Sequence, residues 1–330
     1  MKISSRQISY QPNRFQLGIS LVELMVAMAI GLVVALVAAA FYLNASNTQR
    51  TQSDVVQVNE NLRFAFDLVT REIRKAGFSN IWQVGSTQGA NFCSNPSLSA
   101  GVTYSPIIGL NDANSVDPNA ADLVGSATAL YGVSDGNGHL NYSDVLAVQY
   151  YGDSTVGTAP VYDCQGYQVA APALNAAPVR DVLFIAPDAG NNNEPTLFCY
   201  TNNPNGSATQ PLPIVSGIES FQMLYGEDMD TSNHPSKHYV PWGAMIVNQD
   251  LITSIKVSMV ARGPSSSTVV NGAAAAGPWY HFSSTYGTVA VTNGDSGAIF
   301  PYPGAALPSD NRTRKMLSTE VGFRNNRYCS

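Results

Sequence analysis

The sequence predicts an α+β fold in which one long N-terminal helix is followed by an antiparallel sheet. Residues 24–43 run for 20 positions without a charged side chain, long enough for a helix to cross a hydrocarbon core of about 30 Å. Apolar residues then recur at steps of three and four as far as Ile73, and Gly77 is a helix stop. Strand-like runs begin only near residue 144, so helix and strands are segregated along the chain.

Composition excludes two broad classes of protein. With 45% hydrophobic residues in a chain of 330 residues, a core can form and disorder of the whole chain is excluded. Charged residues make up only 12% of the chain and the net charge is −6. A nucleic-acid partner is not expected, because no basic surface is available to displace counterions from phosphates.

Charge is distributed unevenly around the apolar segment. Residues 1–18 contain three basic side chains and no acidic one, whereas the rest of the chain holds 14 basic against 23 acidic residues. The positive-inside rule therefore predicts a cytoplasmic N-terminus and an exported segment 50–330. A cleaved secretory signal peptide is the alternative, but its apolar region would be shorter and would end in a small-residue cleavage site.

One carboxylate lies at the start of the apolar helix. The order is Gly18, Ile19, Ser20, Leu21, Val22 and Glu23. A carboxylate within a membrane is costly, so Glu23 is expected to lie near the interface or to have a cationic partner.

This junction resembles the class III signal of type IV prepilins and type II secretion pseudopilins. The resemblance implies that a prepilin peptidase cuts after Gly18 and N-methylates Ile19, and that Glu23 pairs with the N-terminal amine of a neighbouring subunit during assembly. It also implies a type IV pilin-like fold. The expected organisation is a leader over 1–18, a helix over 19–76 that is transmembrane in 19–43, and an exported β-rich domain over 77–330.

Small residues recur every fourth position in the apolar helix, at Ala27, Gly31, Ala35 and Ala39. They predict one face suited to close helix contact. Accidental spacing in an alanine-rich helix is an equal alternative. The helix also departs from many major pilins, because it has no proline near its middle.

The exported region contains six strand-like runs and two loop-like regions. Residues 78–143 are rich in Gly, Asn, Ser and Pro and predict a long connection, and the insertion 263–315 predicts a surface loop. The predicted strands are Asp144–Tyr151, Val182–Ala186, Thr196–Tyr200, Ile214–Tyr225, Ile252–Ala261 and Thr319–Arg324.

Several segments, in the same order along the chain, are similar to PilW-type minor pilins. They include residues 61–68 (NLRFAFDL), 143–150 (SDVLAVQY) and 217–226 (GIESFQMLYG). The resemblance implies a non-enzymatic minor pilin of the inner membrane and periplasm that helps to initiate pilus growth, with the prepilin peptidase, other minor pilins, the major pilin and a tip adhesin as partners. It implies no cofactor and no small-molecule substrate. The alternatives are a J-type pseudopilin of a type II secretion system and an uncleaved, membrane-anchored exported adhesin.

Two motifs in the exported region have competing interpretations. The segment 294–297 (GDSG) matches the nucleophile segment of chymotrypsin-like proteases, but no histidine lies in a recognisable base motif, so a turn is favoured. Asp228, Asp230 and Ser232 alternate as the first ligands of a calcium loop do, although the later ligand positions do not match. An acidic, solvated hairpin is the default interpretation there.

Four cysteines in an exported domain predict at least one disulfide. Sequence leaves all three pairings open, and no CxxC spacing indicates zinc. Four further residues could form an aromatic binding surface, although packing in the core or in loops is favoured for them: His238, Trp242, Trp279 and Tyr280. The disulfide candidates are Cys93, Cys164, Cys199 and Cys329.

Overall fold

A computed structural model gives the fold of the chain. It divides into two compact units, Met1–Gln49 and Arg50–Ser330, and helix α1 contributes residues to both. The residues that the structure describes are 20–78, 106–111, 143–153, 160–171, 178–203, 210–228, 237–242, 252–266, 278–284, 299–300 and 312–323.

Helix α1 spans Leu21–Lys75, so its bounds lie within two residues of the predicted helix over 19–76. In the first unit, the large apolar side chains from Leu21 to Leu43 are 48% to 74% exposed. This helix is long and apolar enough to cross a membrane. Its uncovered surface suits a hydrocarbon environment, in which apolar side chains need no protein cover.

In the second unit, α1 is amphipathic. The residues from Val58 to Ile73 that repeat at helical spacing are buried, whereas Val55, three residues before Val58, is 40% exposed. Gly77 adopts a left-handed conformation with φ of 69°, and its amide donates to the carbonyl of Gln149. The predicted stop is therefore a glycine C-cap, which also ties the helix end to a strand.

Five strands form the first sheet, in the order β1-β2-β3-β4-β5 with every pair antiparallel. Both faces of this sheet are buried over much of β2 and β3. Two-sided burial explains the near-continuous apolar runs in these strands. The strands are β1 (Ile107–Leu110), β2 (Val145–Tyr150), β3 (Val179–Asp188), β4 (Glu194–Thr201) and β5 (Leu212–Ser216).

Four strands form the second sheet, in the order β11-β8-β6-β7, again antiparallel. On β8, Ile255, Val257 and Met259 face the core, as the alternation in the sequence predicts. The strands are β6 (Ile218–Asp228), β7 (Lys237–Val240), β8 (Ile252–Ser266) and β11 (Arg312–Gly322).

The single strand predicted over Ile214–Tyr225 is wrong, because two strands in different sheets occupy it. Gly217 separates β5 from β6 with φ of +82°. A side chain there would place its Cβ 2.8 Å from the carbonyl oxygen of Arg262. Both the left-handed backbone and the close approach require glycine.

The prediction that 263–315 is a loop is wrong at both ends and in part of its interior. Strand β8 continues to Ser266 and β11 begins at Arg312. Within the insertion, β9 (Trp279–Tyr280) pairs antiparallel with β10 (Ile299–Phe300). Composition failed here because long antiparallel strands tolerate Ser and Gly where their partners supply the hydrogen bonds.

One hydrophobic core joins α1 to both sheets. It contains helix residues such as Leu62 and Val69, together with Leu183 of the first sheet and Phe221 and Val257 of the second. A smaller apolar cluster around Val182 and Phe184 lies on the opposite face of the first sheet. The second half of α1 is therefore an integral part of the β-rich domain.

Candidate functional sites

Glu23 lies in the first turn of α1 and is exposed. It is followed by the exposed apolar surface, so its carboxylate is the one acidic group at the start of a hydrophobic helix. The cleavage and methylation positions Gly18 and Ile19 lie outside the described residues. A lone carboxylate in this position can pair with a cation supplied by another molecule.

The four small residues of α1 are exposed along the helix, at Ala27, Gly31, Ala35 and Ala39. A Cβ added at Gly31 would meet no atom within 4 Å. Helix contact through this face stays a prediction.

The last turn of α1 carries a buried cluster of two carboxyl groups and one ammonium. Glu72 and Asp181 are fully buried. The Nζ of Lys75 lies 2.5 Å from Glu72 Oε2 and 3.0 Å from Asp181 Oδ2, and its ammonium lies 4.4 Å from the centroid of the Tyr150 ring. One half-buried ammonium therefore serves two buried carboxyl groups.

Charge counting in this cluster favours a retained proton. Burial raises the pKa of Glu72 to about 8; Lys75 opposes the rise and the charge of Asp181 adds to it. Arg71 also approaches Glu72, at 3.7 Å, but its side chain is 59% exposed and screened by water. The short contact to Lys75 alone would suggest two ionised partners, but a fully buried carboxyl beside a second carboxyl is more stable protonated at neutral pH.

A disulfide-closed turn completes the surroundings of this cluster. Cys164 and Cys199 form a disulfide with a Cα separation of 6.2 Å. The amide of Cys164 donates to Asp181 Oδ2 at 2.9 Å, and Lys75 donates to the carbonyl of Tyr162 at 2.9 Å. Of the four predicted disulfide candidates, the structure therefore pairs two, and Cys93 and Cys329 lie outside the described residues.

The phenol of Tyr150 is the remaining donor to Asp181. It donates to Oδ2 at 2.6 Å, and burial raises the pKa of Tyr150 far above its usual range, with the charge of Asp181 adding to the effect. Tyr150 thus stays a hydrogen-bond donor at every ordinary pH.

A second charged network connects the two sheets. Glu194 of β4 accepts two hydrogen bonds of 2.8 Å from the guanidinium of Arg262 and two of 3.0 Å from Arg312. Burial opposes ionisation of Glu194, but the hydrogen bonds and charges of Arg262 and Arg312 outweigh it and lower its pKa. A bidentate pair between strands of different sheets fixes the position of one against the other.

Glu219 extends the same network within the second sheet. It accepts from Arg314 at 2.7 and 3.0 Å and from Arg262 at 3.1 Å. Arg262 therefore bridges two carboxylates, and the network holds β4, β6, β8 and β11 together. No sequence motif indicated it, since its members are isolated charges spread over 120 residues of the chain.

Of the other predicted site residues, the structure describes contacts of two tryptophans. Trp242 packs edge-on against Tyr225 at a centroid distance of 5.0 Å, and Trp279 contacts Phe300 at 5.8 Å, so the core and loop interpretation holds for both tryptophans. Asp228 is the last residue of β6, whereas Asp230 and Ser232 lie outside the described residues. The segment 294–297 lies outside them as well, and the calcium site stays a prediction.

Comparison with known families identifies the class of protein. The family described as Type IV Pilus-assembly protein W matches residues 182–325. The prokaryotic N-terminal methylation motif matches residues 13–39, which include Gly18, Ile19 and Glu23. The chain is a PilW-type minor pilin. As such it takes part in pilus assembly, and the methylation motif implies processing by a prepilin peptidase.

Among solved structures, the minor pilin is similar to a type IV-like pilin from Thermus thermophilus. The two share 14% sequence identity over 57% of this chain and 80% of the other, with a TM-score of 0.29. No curated protein matches the chain.

Proposed function

We propose that this minor pilin is a non-enzymatic subunit that primes the growth of a pilus and then lies at the tip of the fibre. The observation that supports the proposal most is the first unit itself, an uncovered apolar helix with a single carboxylate, Glu23, in its first turn. Such a helix rests in the bilayer before assembly and exchanges lipid for neighbouring helices afterwards. The topology is a cytoplasmic N-terminus, a span within 19–43 and a periplasmic domain.

Glu23 sets the alignment of subunits in this proposal. Cleavage after Gly18 creates a new amine at Ile19, and the carboxylate of an incoming or receiving subunit is its natural counter-ion. A buried ion pair forms well only where both charges meet, because an unpaired charge in an apolar environment is strongly disfavoured. Partner helices that shift by one turn would leave both charges unpaired.

The tip position is inferred from the resemblance to PilW-type minor pilins. A subunit that starts a fibre is needed once for each fibre, whereas a shaft subunit is needed throughout. Other minor pilins and the major pilin are the proposed partners, and a tip adhesin is a further one.

N-terminal peptide mass spectrometry on membrane and sheared-fibre fractions tests the processing step. We expect a peptide that starts at N-methylated Ile19, and we expect it in the fibre fraction. Gly18→Val should leave the precursor uncut. An intact leader in cells with an active prepilin peptidase would overturn the proposal.

Substitution of Glu23 tests the assembly step separately. The Glu23→Ala precursor should be cleaved normally, but cells that carry it should yield few fibres. Glu60→Ala is the matched control, because Glu60 is an exposed acid on the same helix. Normal fibre numbers with Glu23→Ala would contradict the proposed role of the carboxylate.

Fibre counting distinguishes priming from other roles. A strain lacking the protein should form far fewer fibres, with the remaining ones of normal length, and antibody label on the wild type should mark one fibre end. Label along the shaft would overturn the tip position. Intact fibres with lost exoprotein secretion would instead indicate a pseudopilin.

A further inference from the structure

His281 is a fully buried histidine within the insertion, at 2% exposure. It follows β9 directly and lies against the second sheet. Its Nδ1 is 2.9 Å from the hydroxyl of Ser258 on β8, and its Nε2 is 3.0 Å from the hydroxyl of Ser220 on β6. Both ring nitrogens therefore bond to strands that are far away in the sequence.

The two serines lie on the face of the second sheet that points away from α1. Their neighbours Phe221 and Met259 belong to the core under the helix, and strand alternation places Ser220 and Ser258 on the opposite face. Both serines are fully buried. The described segment 278–284 thus covers an outer, polar part of this sheet.

The hydrogen-bond pattern fits a neutral imidazole. The hydroxyl of Ser258 donates to the carbonyl of Leu317 at 3.4 Å, so it accepts from His281 Nδ1–H, and Ser220 then donates to Nε2. This assignment follows from the donors and acceptors present. A second proton on the ring would turn Nε2 into a donor and oblige the Ser220 hydroxyl to rotate.

No charged side chain in the described part of the chain compensates a protonated ring. On β6, Glu219 next to Ser220 is bonded to Arg314 of β11 and to Arg262 of β8. On β8, the ammonium of Lys256 lies 3.7 Å from the centroid of the Tyr239 ring. In its own segment, Tyr280 is the nearest titratable residue. Burial lowers the pKa of the His281 imidazole to about 3, because it disfavours the charged form of the ring.

We propose that His281 is an acid-sensitive clasp that holds segment 278–284 against the outer face of the second sheet and releases it when the imidazole is protonated. Once the segment is released, the imidazole is in water and titrates near its ordinary value. Acid therefore favours the released state by linkage. The clasp concerns the exported domain alone and does not depend on the proposed priming role.

The size of the effect follows from the two pKa values. Between pH 7.5 and pH 5, the ratio of released to docked segment should rise about 30-fold, and below that by about tenfold for each pH unit until the docked ring itself titrates. Release is local, since the bonds between β6 and β8 do not involve His281.

Hydrogen exchange with mass spectrometry on the full chain in detergent micelles tests the clasp. Protection factors, corrected for the intrinsic pH dependence of exchange, should fall about 30-fold in 278–284 between pH 7.5 and pH 5, while core peptides of β6 and β8 keep their protection. His281→Gln should abolish this pH dependence. His238→Gln is the matched control, because His238 on β7 is exposed.

His281→Gln could release segment 278–284 at every pH, and a second variant is needed for that case. Ser220→Ala removes one hydrogen bond and keeps the titrating ring, so protection should drop at all pH values with the same slope. Constant protection in the wild type would overturn the proposal. So would a slope that His281→Gln retains, or equal losses in 278–284 and in the core strands.

Discussion

Two buried titratable groups in the β-rich domain respond to burial in opposite directions. Glu72 lies in the last turn of α1, where burial raises the pKa of its carboxyl to about 8. His281 lies on the far side of the second sheet, where burial lowers the pKa of its imidazole to about 3. The physical cause is the same, because burial disfavours whichever form is charged.

The partners of the two groups differ more than their burial does. His281 is served by two neutral hydroxyls that satisfy a neutral ring completely. Glu72 shares Lys75 with Asp181, so attraction and repulsion act on it together. The His281 site is stabilised by neutral hydrogen bonds and needs no counter-ion. The Glu72 site depends on one ammonium, so a single substitution should destabilise it more.

Their contributions to stability run in opposite directions with pH. The carboxyl of Glu72 binds a proton on folding, so its contribution is full below about pH 4.5 and is lost as pH rises toward 8. The imidazole of His281 releases a proton on folding, so its contribution is full above about pH 6.5 and is lost as pH falls toward 3. The β-rich domain is therefore expected to be most stable under mildly acid conditions.

The largest expected effect comes from removing the shared ammonium. Lys75→Met should lower the free energy of unfolding at pH 7 by about 3 kcal/mol, because it removes the ammonium that lies 3.0 Å from the buried carboxyl of Asp181. Urea unfolding of the full chain in detergent micelles measures it.

An exposed base on the same helix supplies the control for that substitution. Arg63 is exposed, and Arg63→Met should change stability by less than about 0.5 kcal/mol. Equal losses in the two variants would mean that Lys75 acts through helix propensity and not through the buried cluster.

The next effect comes from the disulfide, and its removal tests whether the Glu72 and His281 sites are independent of each other. The bridge closes a loop with a sequence separation of 35, and Cys164→Ala with Cys199→Ala should cost about 3 kcal/mol. Since the amide of Cys164 donates to Asp181, exchange protection should fall at the end of α1. Protection of 278–284 should be unchanged at neutral pH, and a loss there would show that the two sites are coupled.

The smallest effect is a change of slope with pH. In Glu72→Gln the side chain cannot ionise, so the wild type should lose about 2 kcal/mol relative to this variant between pH 5 and pH 7. The contribution of His281 is the same in both proteins and cancels. Glu60→Gln, at an exposed position of α1, should show no such difference, and a flat difference for Glu72→Gln would mean that Glu72 is ionised in the folded protein.

Sequence predicted the helix and most strands because their signals are local. The apolar run, the steps of three and four and Gly77 fix α1 without reference to the rest of the chain. Membership of two sheets could not be predicted, since a single glycine inside an otherwise strand-like run decides it. Periodicity does not distinguish a strand with one Gly from two strands that meet at it.

The prepilin residues could be predicted and the buried clusters could not, again because only the former have a local signal. Gly18, Ile19 and Glu23 stand together in the sequence, so a motif reveals them. Glu72 and Asp181 are brought together only by folding. One signal was nevertheless available, because Glu72 is an acid on the apolar face of α1, three residues after Val69 and one before Ile73.

The crossing at Gly217 limits how this chain can vary in length. One residue separates the sheets, and it is held from both sides, since its amide donates to the carbonyl of Pro195 and its carbonyl accepts from the amide of Arg262. Its neighbours Ser216 and Ile218 are paired in different sheets. Because strand faces alternate with a period of two, one added residue there would exchange the buried and outer faces of β6. Phe221 would then leave the core and Ser220 would enter it, so insertions and deletions belong elsewhere in the chain.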